Sequence, residues 1–196
     1  MITAGACVEW LVRIGALVSP GELDARVAAA DPAAVPRFLP ALQGLGAPYD
    51  RPEVRGRPAG VTLATGAAEL CAAVVEGIAQ RCADAVEALD HGGPVLPVHG
   101  GLSASRELLA RLADLTGTPV LRAPEPETGA LGAAGLAARA LAEPDAGDPR
   151  EPRFATHAVP EIARVEPRIG AGERAGRRRH FHAEVGRAIA EAPGSP

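Results

Sequence analysis

The sequence predicts an α/β domain in which a small sheet is flanked by helices. Three observations carry that expectation. A β-prone run at residues 94–98 ends in Gly100-Gly101 and passes straight into helical periodicity reaching Leu115. The order then repeats, with a short strand at Val120-Leu121 and a small-residue helix from Gly129 to Ala142. Residues 66–90 supply a long amphipathic helix to cover such a sheet, and β-α-β-α order places helices on its faces.

The first helix is expected from Ala4 onward, with Val8, Leu11 and Val12 on its apolar side. Ser19-Pro20-Gly21 breaks it, and a second short helix from Glu22 to Ala30 stops at Asp31-Pro32. A buried-looking helix at the very start reads as a chain entered mid-stride. Residues 35–66 are rich in Pro and Gly and predict short β-prone pieces separated by turns. In the 66–90 helix, Leu70, Val74, Ile78, Cys82, Val86 and Leu89 recur at helical spacing. Glu69, Glu76, Arg81, Asp84 and Glu87 are expected on its wet side.

The centre of interest is the strand-to-helix junction at Gly100-Gly101. Paired glycines at a strand end let a ligand approach the backbone, and the helix that follows brings unpaired N–H groups to the same place. The expected N-cap is Ser103, with Glu107 complementing the dipole in the early turns. The run from Gly129 to Gly135 has side chains small enough for a neighbouring helix or a ligand to pack closely, the helix being the favoured reading. Past a Pro/Asp/Gly linker, the helix at 172–191 is expected on the surface. Its Arg177-Arg178-Arg179-His180 run reads as a solvated face, and His180 and His182 do not face together as metal ligands.

Composition narrows the function. The net charge of −4 leaves no basic footprint for nucleic acid. No apolar run has membrane-spanning length, and the N-terminus lacks a signal-peptide pattern, so a cytoplasmic location is expected. The three cysteines read as buried hydrophobes. All 20 basic side chains are arginine. A Walker-type phosphate loop, which uses a lysine, is therefore excluded, as is Schiff-base chemistry. Any nucleotide must be held by backbone amides and helix ends.

Several segments resemble one family in order and spacing. Ala4-Gly5-Ala6-Cys7-Val8-Glu9-Trp10-Leu11 comes first, then Pro40-Ala41-Leu42-Gln43-Gly44-Leu45-Gly46-Ala47-Pro48-Tyr49. Arg55-Gly56, Gly60-Val61-Thr62, Glu69-Leu70, Gly100-Gly101 and Glu127-Thr128-Gly129-Ala130-Leu131-Gly132 follow. Together they resemble the C-terminal, nucleotide-side domain of the FGGY carbohydrate kinases, nearest their glycerol kinases, over residues 3–142. The resemblance implies half of a two-domain actin-like, RNase H-type fold. Residues 1–142 would form that domain, 143–172 a linker and extended segment, and 173–196 a surface helix with a frayed tail.

It further implies that ATP or ADP, with Mg2+, lies against Gly5, Glu9, Gly100, Gly101 and Ser105. The catalytic base, the polyol-binding residues and the first phosphate loop belong to an N-terminal domain, so no catalytic or metal-binding residue is assigned in this chain. Glu9 stands where the family usually has Gln, Ser105 where it has Asn and His99 where it has Asp. Asp50 stands where Trp is typical, and Pro58 interrupts a signature. The expected function is the ATP-binding half of a polyol or sugar kinase that is inactive alone. The alternatives are a non-catalytic interaction module or a kinase for another sugar such as a pentulose. Its partners are nucleotide and either the missing N-terminal domain or further copies of itself.

Overall fold

A computed structural model describes residues 4–122, 128–142 and 164–193. Six α-helices are described, α1 (Ala4–Arg13), α2 (Leu23–Ala28), α3 (Ala67–Ala88), α4 (Arg106–Thr116), α5 (Thr128–Ala142) and α6 (Ala171–Ala190). Five short strands accompany them, β1 (Arg37–Leu39), β2 (Arg57–Ala59), β3 (Leu96–Val98), β4 (Val120–Arg122) and β5 (Arg164–Val165). β1 and β2 pair antiparallel around the Pro/Gly-rich loop. β3 pairs parallel with β4, and β4 pairs antiparallel with β5. Among the described residues the outer edge of β3 has no strand beside it, and Pro97 at its centre contributes no N–H there.

The molecule is built around α3. Alanine, leucine, valine and glutamate fill it, a composition that favours helix. Its start is secured by Glu69, whose carboxylate accepts the backbone N–H of Gly66 at 2.9 Å and that of Asp31 at 2.9 Å. Helices α1, α2, α4 and α6 and strand β1 all pack on it. Cys71, Val74, Val75 and Ile78 meet Cys7, Val8 and Leu11 of α1 and Leu23 and Val27 of α2 in the main core. Trp10 stacks on Phe38 with ring centroids 5.5 Å apart. Gly77 is required by packing, because a Cβ there would lie 2.4 Å from the Phe38 carbonyl oxygen.

Two expectations from the sequence are corrected here. The polar stripe of α3 is wet only in part: Glu87 is exposed and Glu76 half-buried, but Glu69, Arg81 and Asp84 are buried, while Leu89, expected on the apolar side, is exposed. Nor is the basic run of α6 solvated throughout. Arg178 is buried and donates to the Gln80 carbonyl at 2.9 Å, to Asp84 at 2.6 Å and to Glu87 at 2.8 Å. Beneath α6, Phe181, Val185 and Ala188 pack on Leu39, Leu45 and Val54 in a second core. Burial of these charges follows from pairing across elements, which helical periodicity alone does not register.

The chain before α6 is held to α4 by Asp114. This buried carboxylate accepts the Arg168 backbone N–H at 2.6 Å and its guanidinium at 2.7 Å, and the Asp114 carbonyl accepts from Arg174 at 2.8 Å. Burial opposes the charge on Asp114, yet the Arg168 side chain and backbone N–H outweigh it and hold the carboxyl below its ordinary 3.8. Backbone N–H groups of Asp31 and Gly66 likewise hold Glu69 below 4.5. On α5, Gly129, Ala130, Ala133, Ala134 and Gly135 are exposed, and nothing described comes within 4 Å of a Cβ built on Gly129, Gly132 or Gly135. The expected close helix neighbour is therefore not found among the described residues.

Gly77→Ala is expected to destabilise the fold by about 1–3 kcal/mol through overpacking, whereas Gly135→Ala on open α5 is expected to be neutral or mildly stabilising. Urea denaturation midpoints of the two variants check this. Because Asp114 and Glu69 carry lowered folded pKa values, their stabilisation is complete above the ordinary carboxylate range. It is lost as the pH falls through that range and below. Asp114→Asn should lower stability at neutral pH by about 1–3 kcal/mol and flatten the acid limb of the stability–pH curve.

Candidate functional site

β3 and β4 run parallel, so the chain leaves both at the same edge of the sheet, the usual place for a ligand in such folds. From β3 it passes through His99 and Gly100 into a 3₁₀ turn at Gly101–Ala104. Gly100 has φ +94°, a conformation that side-chain-bearing residues avoid, and this redirects the backbone so that the turn starts at Gly101. The turn is closed by Ser103, whose hydroxyl donates to the Gly100 carbonyl at 2.7 Å.

The N-cap of α4 is Ser105, two residues beyond the Ser103 that the sequence favoured. Four residues are taken up by the 3₁₀ turn, which moves the cap forward. The Ser105 hydroxyl accepts the Leu108 N–H at 3.1 Å and donates to Asp24 of α2 at 2.5 Å. The second oxygen of Asp24 accepts the Arg106 N–H at 2.8 Å. Asp24 thus adds a second acceptor and a negative charge to the start of α4. Nothing in the local sequence points to it, since it lies 81 residues from Ser105.

Helix α1 lies directly beside this turn. Leu102 packs into the same core as Cys7, Val8 and Leu11, which turns the opposite face of α1 outward with Gly5 and Glu9 one helical turn apart on it. Gly5, Glu9 and Gly101 are exposed, Gly100 is half-buried and Ser105 is buried. No described atom comes within 4 Å of a Cβ built on Gly5, Gly100 or Gly101. The small size of Gly5 and Gly101 therefore answers no packing need among the described residues. It leaves bare backbone at the start of α1 and at the Gly100–Gly101 turn, two places where a phosphate-bearing ligand could approach the main chain.

A second grouping of polar side chains is Asp84, Glu87 and His182, whose ligand-type atoms lie within 4.8 Å of one another. Arg178 donates to both carboxylates and Arg81 to Asp84, so the two negative charges that would draw a cation are already matched by two guanidinium groups. Among the described residues no helix is long and apolar enough to cross a membrane.

Comparison with known proteins agrees with this architecture. Residues 1–141 match the model of the FGGY family of carbohydrate kinases, C-terminal domain. The chain is 44% identical to a glycerol kinase of Xanthobacter autotrophicus over 144 residues, which are 70% of this chain and 29% of that one. It is 41% identical to a glycerol kinase of Methylobacterium nodulans over 168 residues, covering 80% and 32% of the two chains. It thus spans about a third or less of these relatives. Among solved structures, Plasmodium falciparum glycerol kinase with ADP superposes with a TM-score of 0.79 at 24% identity, covering 95% of this chain and 37% of that one. A ligand-bound xylulose kinase from Lactobacillus acidophilus gives 0.73 at 23% identity, covering 97% and 39%. The mixed α/β architecture is accordingly the actin-like ATPase fold of those enzymes. The chain belongs to the FGGY family of carbohydrate kinases and carries that family's C-terminal domain.

Proposed function

We propose that this domain seats the adenine nucleotide of a glycerol-kinase-like enzyme, and that phosphoryl transfer to a polyol hydroxyl needs a further, N-terminal half. The observation that carries this reading is the open glycine surface where α1 meets the Gly100–Gly101 turn. Its N–H groups can orient phosphate oxygens without an ammonium, which matches a chain that has no lysine. Bound nucleotide with Mg2+ supplies the transferable phosphoryl group and neutralises its charge. The residues of this chain bind and orient. None of them is assigned the proton transfer, so catalysis waits on the second half to complete the alignment of base, hydroxyl and nucleotide.

A second reading, a non-catalytic interaction module, is favoured by two features. Glu9 sets a carboxylate on the face meant for phosphates, and the Ser105 hydroxyl is committed to Asp24 and the α4 cap. A pentulose kinase is the remaining alternative, and a panel of polyols and sugars offered to the reconstituted enzyme separates it from the first reading.

ADP is expected to bind the chain by calorimetry, and kinase activity to emerge only when the N-terminal half of a related glycerol kinase is added. A reconstituted pair that binds no nucleotide overturns the proposal, while nucleotide binding without rescue of activity supports the module. Gly101→Val should weaken ADP by at least about tenfold with an unchanged melting temperature, since nothing described packs there. Glu9→Gln should tighten ADP on the order of threefold, as expected for removing one exposed like charge. Ser105→Ala should cost about 1 kcal/mol of stability through its cap, whatever its effect on nucleotide.

A further inference from the structure

Away from the nucleotide surface, a cleft of about 620 Å³ opens between α2, β1, α3, α4 and α6. Its volume falls within the range of small-molecule sites, roughly 300–1,000 Å³. None of Gly5, Glu9, Gly100, Gly101 and Ser105 lines it. One side is apolar, formed by Val27, Ala30, Val35, Phe38 and Phe181. The other is polar and unevenly satisfied.

Glu76 is saturated there: it accepts from Gln80 at 2.9 Å and from Arg177, and pairs with Arg111 at 3.6 Å. Arg37 uses only its Nε, toward Glu184, which leaves its terminal nitrogens without a partner among the described residues. The ring of His180, one turn before Glu184 on α6, also has none. Glu173 is the cleft's one unpaired carboxylate, and it lies seven residues, about 10 Å, back along α6 from His180. The cleft therefore combines spare donors, on Arg37 and His180, with an apolar lining.

We propose that this cleft is a binding site for an organic oxyanion carried on an apolar body. The carboxylate or phosphate head would meet the free nitrogens of Arg37 and His180, and the body would lie against Phe38, Phe181 and Val27. Arg37 offers a two-pronged donor suited to either head group.

Octanoate and phenyl phosphate are the probes, with 1-octanol as the body alone and inorganic phosphate as the head alone. Binding is read by calorimetry and by the fluorescence of Trp10, the sole tryptophan, which stacks on Phe38 at the cleft wall. Both organic anions should bind saturably at one per chain, with 1-octanol and phosphate at least about tenfold weaker. The tighter of the two anions identifies the head group. Arg37→Gln and His180→Gln should each weaken binding, and Ala30→Leu, which fills the apolar wall, should abolish it. His180 is exposed and has no described hydrogen bond or ion pair to lose, so its variant tests the site without endangering the fold. Equal affinity for 1-octanol and octanoate, binding unchanged in both His180→Gln and Ala30→Leu, displacement of the anion by ADP, or no saturable binding of either anion would overturn the proposal. Failure of ADP binding alone leaves these outcomes unaltered and bears only on the kinase reading.

Discussion

Asp84 lies in the middle of α3 almost wholly out of water, and its charge is sustained there by donors arriving from three directions. Arg81 of the same helix donates at 2.7 Å, Arg178 of α6 at 2.6 Å, and His182 of α6 stands at 3.0 Å. The Tyr49 hydroxyl arrives from the loop between β1 and β2. Burial, followed by the neighbouring Asp84 charge, pushes the Tyr49 pKa up to about 12, so this hydroxyl remains a donor at every pH where the protein works. A lone carboxylate so buried would be strongly destabilising, and it is tolerated because its oxygens are met on all sides. Removing any one donor leaves the others facing an under-satisfied charge, which makes this arrangement cooperative. It fixes three otherwise separate parts of the chain to one another.

Those three parts set the position of everything else. Arg81 also donates to the carbonyls of Gly46 and Ala47, at 3.1 Å and 2.8 Å, and covers the Tyr49 ring at 4.8 Å. The glycine-rich loop is thereby held against α3 instead of spreading over the surface. Arg178 presses α6 onto α3, which lets Phe181 and Val185 close the second core. With α3 immobilised, its remaining faces orient α1, α2 and α4. The Asp24–Ser105 bond then locks α2 to the start of α4 and so fixes where the Gly100–Gly101 turn lies relative to α1. The geometry of an exposed, chemically bare glycine surface thus traces back to a buried salt-bridge network on the far side of α3.

Much of this was legible in the sequence where the signal is local. Helical spacing located α1, α3 and α4, and the paired glycines after a β-prone run located the strand-to-helix junction though not its 3₁₀ turn, because periodicity and backbone freedom are properties of adjacent residues. What escaped was non-local. Arg81 and Asp84 look like a wet helix face until the partner Arg178, 94 residues beyond Asp84, is known. The cap moved from Ser103 to Ser105 because either serine suits the role, and the choice was made by Asp24 from a different helix. The cleft beneath α6 was invisible for the same reason: its walls come from five elements whose mutual distances no motif encodes.

The glycines show how structure separates two meanings that a sequence leaves mixed. At Gly44 a Cβ would meet the Pro52 backbone at 2.7 Å, and at Gly77 the Phe38 carbonyl at 2.4 Å. These residues are glycine because the chain itself crowds them. At Gly5 and Gly101 the same construction meets no described atom within 4 Å. Gly5 sits in the first turn of α1, where glycine brings no gain in helix propensity and no packing gain among the described residues. Gly5 and Gly101 are thus left without a packing reason among the described residues, and the bare backbone they leave is the surface to which the proposed nucleotide seat is assigned.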